Sequence, residues 1–359
     1  MSNRRDFMKT GAAASAMAAV SSSLPTAVIA APATPAVHAI HATTAAGEPP
    51  APGTAPAATP SAIAATSRHH PLPAPPFWPN GHRLVISISL QFEAGGQPAD
   101  AEGPFPPLDQ QFPDTIVPSW YRYGLLEGIP RLLTLFDKHG IQVTSHMVAK
   151  AVQAHPELAA EIVRRGHEAS GHGLEWAPQY SLSPAEERRH YQQASDIIER
   201  ATGQRPIGFN AFWMRHSRET LNILQDLGFL YHIDDLSRDE PSITPVRGKP
   251  FVVVPYTLRN NDIGRIAGST AMTGAALLQE LKDEFDVLYE EGVHRRRMMS
   301  LSAHDRIAGT PTVVRALDQF ITYAKSKPGV AFMRKDDIAR WALSRPDTPH
   351  NPPRVFDGA

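Results

Sequence analysis

The chain has 359 residues, with 35 lysines and arginines against 36 aspartates and glutamates, a formal net charge of −1. That balance leaves no overall field to hold nucleic acid or an anionic membrane. It contains no cysteine, which excludes disulfides, zinc–thiolate centres and a cysteine nucleophile.

At the N-terminus, Asn3-Arg4-Arg5-Asp6-Phe7-Met8-Lys9 precedes an alanine-rich apolar run to about Ala30. This pattern predicts a twin-arginine export signal over residues 1–33, hence passage through the twin-arginine translocase to the periplasm or the exterior. A membrane anchor fits less well, because Ser21, Ser22, Ser23 and Pro25 interrupt the run. Residues 34–80 are mostly Ala, Pro and Thr, too poor in large apolar groups to offset chain entropy, and predict a disordered linker. A single catalytic domain is expected over 81–345, with a tail over 346–359.

Within the domain, Arg83–Phe92 is rich in β-branched and alternating residues and predicts the first strand, ending at the turn that carries Glu93. A long loop follows over 96–119, then a helix over 125–139 stopped by Gly140. Residues 141–148 predict a strand and 156–165 a helix closed by Gly166. Glu168–Gly171 leads to His172, and Ser183-Pro184-Ala185-Glu186 is a capping box opening a helix to about Thr202. Strands are then expected at 207–210, 228–233, 251–254, 298–303 and 330–332, with helices at 217–227, 274–291, 311–325 and 335–343. The run His294-Arg295-Arg296-Arg297 reads as a solvated helix end.

Strands alternating with helices imply parallel pairing. No glycine-rich phosphate fingerprint follows the first strand, so a distorted (β/α) barrel is expected rather than an open dinucleotide-binding sheet. In a barrel, side chains at the carboxyl ends of strands meet at one mouth. Glu93, His172, Asn210 and His304 all fall at such ends. Singly, Glu93 reads better as a loop carboxylate, His172 as a hydrogen-bonded loop residue and His304 as a helix-capping or core histidine; their joint placement reverses that and favours a site.

The order of a strand-end acid, His172-Gly-Leu-Glu-Trp176 and Ser-Ala-His304 resembles the polysaccharide deacetylase (nodulation protein B) superfamily, in its allantoinase-like and peptidoglycan-deacetylase-like branch. Gly128-Ile-Pro-Arg-Leu-Leu133, Val254-Pro-Tyr-Thr-Leu258 with Asn261-Asp262, and Asp336-Asp-Ile-Ala-Arg-Trp341 extend the likeness over roughly residues 83–343. The resemblance implies hydrolysis of a non-peptide carbon–nitrogen bond. Its metal-dependent members carry an Asp pair after the first strand and a His-x-x-x-His loop. Here those positions read Gln91, Glu93, His172 and Trp176. The indole nitrogen has no lone pair to give a metal, so no tightly bound catalytic metal is expected; Glu93 and His172, with Glu175 as a conceivable third donor, would be the alternative zinc ligands.

The roles that follow are Glu93 as base, with a pKa raised modestly by the cleft, His304 as acid oriented by Asp305, and His172 as the carbonyl-polarising group. Gln91, Trp176, Tyr256, Asn261 and Asp305 would contact substrate, with Tyr256, Asn261 and Asp262 holding its amides. Trp213 reads equally as a pocket wall or as core. The substrate expected is a small cyclic amide, imide or ureide. A metal-dependent deacetylase of N-acetylated glycan and an inactive glycan-binding barrel are the alternatives. Related proteins imply a homo-oligomer.

Overall fold

Nine residues set the architecture. In β1 (Leu84–Phe92), Leu84, Ile86, Ile88, Leu90 and Phe92 join the apolar cluster that includes Leu132, Phe136, Leu281, Phe285, Leu317 and Phe320 of the covering helices Ile129–His139, Gly274–Glu291 and Pro311–Lys325. The alternate residues Val85, Ser87, Ser89 and Gln91 therefore point to the opposite, inner face. The computed structural model describes residues 77–98, 103–106, 108, 109, 111–266 and 273–352. The expected export signal and nearly all of the expected linker lie outside the described residues, as does part of the 96–119 loop.

The other strands are β2 (Thr144–Met147), β3 (Glu168–Gly171), β4 (Gly208–Phe209), β5 (Tyr231–His232), β6 (Ser242–Val246), β7 (Lys249–Val253), β8 (Met298–His304) and β9 (Val330–Phe332). They form one sheet in the order β6-β7-β5-β4-β3-β2-β1-β8, with β9 on the start of β1. All pairs are parallel except β6 with β7. Register aligns the inner side chains in rows: Ser89 lies level with Thr144 and Ser302, and Gln91 with His146 and His304. The barrel interior is consequently polar near its mouth, and the next residues outward are Glu93 and His172.

The barrel is distorted, as expected. The segment 255–262 lies along β8, where Ser300 Oγ donates to Pro255 O at 2.9 Å and Asn260 Nδ2 to Ser300 O at 3.1 Å. A parallel bridge between Asn261 and Ser302 continues the contact. This seam carries Asp262 to the end of β8.

Several expectations change. The helix expected at 125 begins at Ile116, because Asp114 Oδ1 accepts from the Ile116 and Val117 amides at 2.9 and 3.0 Å, and it runs through a π-helical turn at Gly124–Gly128. β6 was missed: Pro245 and Pro250 stand opposite each other in an antiparallel hairpin turned by Arg247 and Gly248, with φ of 47° and 75°. Within the expected linker, Phe77 and Trp78 are buried and Trp78 stacks on Trp341 at 4.7 Å, and within the expected tail the Asn351 amide donates to Ile243 O at 2.8 Å. Arg296 is buried as well, not solvated: it pairs with Asp347 at 2.8 Å and lies over the Trp341 ring.

Candidate active site

Glu93 lies one residue beyond β1 with its side chain wholly buried. Its Oε2 accepts from Arg306 Nη1 at 2.7 Å. Its Oε1 has no full hydrogen bond and faces two imidazoles, 3.4 Å from His172 Nε2 and 3.4 Å from His304 Nε2. Three strands thus bring one carboxylate oxygen and two ring nitrogens to a point. Lining the same cleft are Gln91, Trp176, Asn210, Trp213, Tyr256 and Asn261. The cleft's free volume of about 30 Å³ is room for one or two waters.

Each ring is held from behind. His304 Nδ1 is 2.6 Å from Asp262 Oδ1, and the His304 amide donates to Asp262 Oδ2 at 2.8 Å. His172 Nδ1 is 2.7 Å from Asn210 O. A carbonyl only accepts, so His172 carries its proton on Nδ1, and its Nε2 donates only when the ring is an imidazolium.

The electrostatics reverse one expectation. Burial opposes ionisation of Glu93, but the charges of His304 and Arg306 and the two facing imidazoles outweigh it and hold the carboxyl well below its ordinary range. Its pKa is lowered, not raised. For His304 burial again opposes the charged form, yet Glu93 and Asp262 prevail and raise the ring to about 10. At neutral pH the pair is carboxylate and imidazolium.

Asp305 does not orient His304. Its Oδ2 accepts from the Glu93 and Ala94 amides at 3.0 and 2.9 Å, fixing the turn that aims Glu93. Arg306, overlooked in the sequence, is sandwiched against Trp120 and Tyr121 at 4.6 and 4.3 Å. Its position two residues past His304 was the available signal. Gly128 lets the preceding helix press on this turn: a Cβ there would lie 1.9 Å from Asp305 O.

Gln91 Nε2 donates to Asn210 Oδ1 at 3.2 Å and Ser302 Oγ at 3.0 Å, leaving its buried Oε1 without a partner. Trp176 packs 4.9 Å from the His172 ring and 4.5 Å from Phe212. Trp213 is 53% exposed, so it is wall rather than core, and both it and Met214 adopt left-handed backbone, with φ of 49° and 57°. Asn261 Oδ1 accepts from the Ile263 amide at 3.1 Å. Tyr256 is buried, and burial pushes its phenol further up, so it stays neutral.

The family pattern described as polysaccharide deacetylase matches residues 120–232, and the twin-arginine signal pattern matches residues 1–21. A solved structure described as a probable polysaccharide deacetylase from Pseudomonas aeruginosa PAO1 is 36% identical, covers 76% of this chain and 96% of its own, and superposes with a TM-score of 0.69. The chain belongs to the polysaccharide deacetylase family. Puue allantoinase is similar to the same degree, at 35% identity, 76% and 95% coverage and a TM-score of 0.69. A peptidoglycan deacetylase of Helicobacter pylori is 22% identical over 249 residues, 61% of this chain and 84% of its own. This protein is accordingly a hydrolase of carbon–nitrogen bonds other than peptide bonds, exported by the twin-arginine route to the periplasm or the exterior.

The donor set does not fit a cation in the position the resemblance implies. His172 is posed as a ligand would be, its Nδ1 on a carbonyl and Nε2 toward Glu93. The loop's own third donor is missing, since Trp176 offers no lone pair and Glu175 is paired with Lys150, and the other nitrogen at the point, His304 Nε2, carries a proton. Arg306 and the imidazolium of His304 already neutralise Glu93.

Proposed function

We propose that this family member opens a small cyclic amide, imide or ureide outside the cytoplasm by acid–base hydrolysis between Glu93 and His304. The observation that carries the reading is the single oxygen, Glu93 Oε1, facing both histidine Nε2 atoms at 3.4 Å in a cleft walled by Trp176 and Trp213. A flat ring suits those walls, and the unpartnered acceptor Gln91 Oε1 suits a ring N–H.

A water held by Glu93 Oε1 attacks the carbonyl carbon and passes its proton to that oxygen. For His172 to polarise the carbonyl its Nε2 must carry a proton as well as its Nδ1, and in that form it donates to the developing oxyanion. His304 delivers its Nε2 proton to the departing nitrogen as the C–N bond breaks. Glu93 then holds one proton too many and His304 one too few. Return of that proton across the short gap between them restores the starting state, so the balance is one water consumed and one C–N bond cleaved.

The export signal favours a second reading, removal of acetyl groups from a glycan that lies outside the cytoplasm. A panel of cyclic imides, hydantoin-like ureides and N-acetylglucosamine oligomers, assayed with wild-type and Glu93→Gln protein, separates the two. Ring opening that Glu93→Gln abolishes supports the proposal; acetate release from the oligomers, with rings untouched, replaces it by the second reading.

A further inference from the structure

We infer that His216, His232 and Asp234 form a binding site for a first-row divalent cation of the zinc class, separate from Glu93 and placed to clip one wall of the cleft. His232 and Asp234 sit at and just beyond the end of β5, and His216 closes the turn that carries Trp213. Asp234 Oδ2 lies 2.8 Å from His216 Nε2 and 3.8 Å from His232 Nδ1, and one ligand atom from each residue lies within 4.8 Å of the others. Among the described residues this is the one His/Asp group with that spacing.

Zinc–nitrogen and zinc–oxygen bonds of ~2.0–2.1 Å place tetrahedral ligand atoms ~3.3 Å apart. The observed 2.8 and 3.8 Å to Asp234 straddle that edge, each about half an ångström from it, and the histidine nitrogens lie within 4.8 Å of one another. The donor chemistry is also suitable. His232 Nδ1 accepts from the Asp234 amide at 3.2 Å, which shows its lone pair directed inward; an entering ion takes over that lone pair. His216 Nε2 carries the proton of its bond to Asp234, and a metal displaces such a proton on binding.

The carboxylate is prepared as a ligand is. Its Oδ1 accepts from Asn210 Nδ2 at 2.7 Å, and the Ala211 amide is shared between Oδ1 at 3.0 Å and Oδ2 at 3.1 Å, outer partners of the kind that orient a metal-bound carboxylate. Asp234 and His232 are closed off, whereas the His216 side chain keeps 16% exposure, so the site opens to solvent on the His216 side. Two nitrogens and one oxygen suit zinc, cobalt or nickel better than magnesium or calcium.

The consequence lies on the cleft wall. Asn210, bonded to Asp234, presents the carbonyl that holds His172, and His216 follows the left-handed Trp213 and Met214 by two residues. A bound ion would tie both to β5.

Metal-stripped, tag-free protein, titrated with zinc against a chromophoric chelator and with cobalt as a spectroscopic probe, tests this. Wild type is expected to bind one equivalent per chain and to melt at a higher temperature with zinc. His216→Ala, a change at a partly exposed position, is expected to weaken binding by at least ~10-fold and remove the melting shift, while His172→Ala leaves both intact. Wild-type binding no tighter than that of His216→Ala overturns the inference. So does binding that His172→Ala abolishes and His216→Ala spares, which would put the ion in the catalytic cleft. None of these readouts depends on turnover, so they stand apart from the proposed reaction.

Discussion

Replacing Asp262 by Asn should bring the His304 titration down toward neutrality without disturbing the fold. Asp262 holds Nδ1 at 2.6 Å and, with Glu93, keeps the buried ring charged up to about pH 10. Across ~4 Å between charge centres, at an effective dielectric of ~20, one unit charge contributes ~4 kcal/mol, or ~3 pKa units. Asparagine keeps an oxygen for the Nδ1–H bond and so preserves part of this, leaving an expected fall of ~1–2 units. The His304 Cε1–H resonance, followed by NMR against pH, reads the change without a substrate. The same linkage acts on stability. A ring raised from 6.5 to about 10 contributes stability that is complete below pH 6.5 and lost as pH rises through about 10. Asp262→Asn should therefore unfold at lower denaturant below pH 6.5 and approach wild type above pH 10. A variant ring titrating where the wild-type ring does, or a wild-type ring titrating near 6.5, would refute the reasoning.

Removing the guanidinium in Arg306→Met should raise the Glu93 pKa, moving the acid limb of the kcat/KM profile upward, and lower kcat by ~100-fold, measured by steady-state kinetics across pH. His304→Ala should cost ~10²–10⁴ in kcat in a protein that still folds but melts at a lower temperature, since Glu93 and Asp262 lose the cation between them, checked by kinetics and calorimetry. Gly128→Ala drives a methyl into Asp305 O, so a loss of ~1–3 kcal/mol in denaturant unfolding, with reduced activity, is expected. At the inner end of the barrel, burial brings Lys335 from 10.5 to about 7. Its ammonium therefore penalises the folded state fully below about pH 7 and not at all above 10.5, and Lys335→Met should stabilise the protein most on the acid side, seen in unfolding curves at pH 6 and 9.

Where chemistry and local pattern coincide, the sequence was informative. The period-two pattern of β1 and the capping box at Ser183 act over a few residues, and both elements form as expected. Glu93, His172 and His304 were legible because parallel strands in a barrel bring their carboxyl ends to one mouth. Their partners were not. Arg306 reaches Glu93 across 213 positions and Asp262 reaches His304 across 42, and no local pattern encodes such meetings. Asp305 was the nearer acid to His304 in sequence, but the backbone turn after β8 sends its carboxylate to the β1 amides. The sign of the Glu93 shift was misjudged for the same reason: it depends on two cations that only the fold supplies. β6 was hidden by its prolines, which an edge hairpin tolerates.

The central claim is that Glu93 and His304 cleave a ring C–N bond. The direct measurement is the mass of the product formed from a cyclic imide or ureide by wild-type and Glu93→Gln protein. Wild type is expected to give a single open-chain product heavier by one water, and Glu93→Gln none. Equal ring opening by both proteins, or acetate release from a glycan as the wild-type activity, would contradict it.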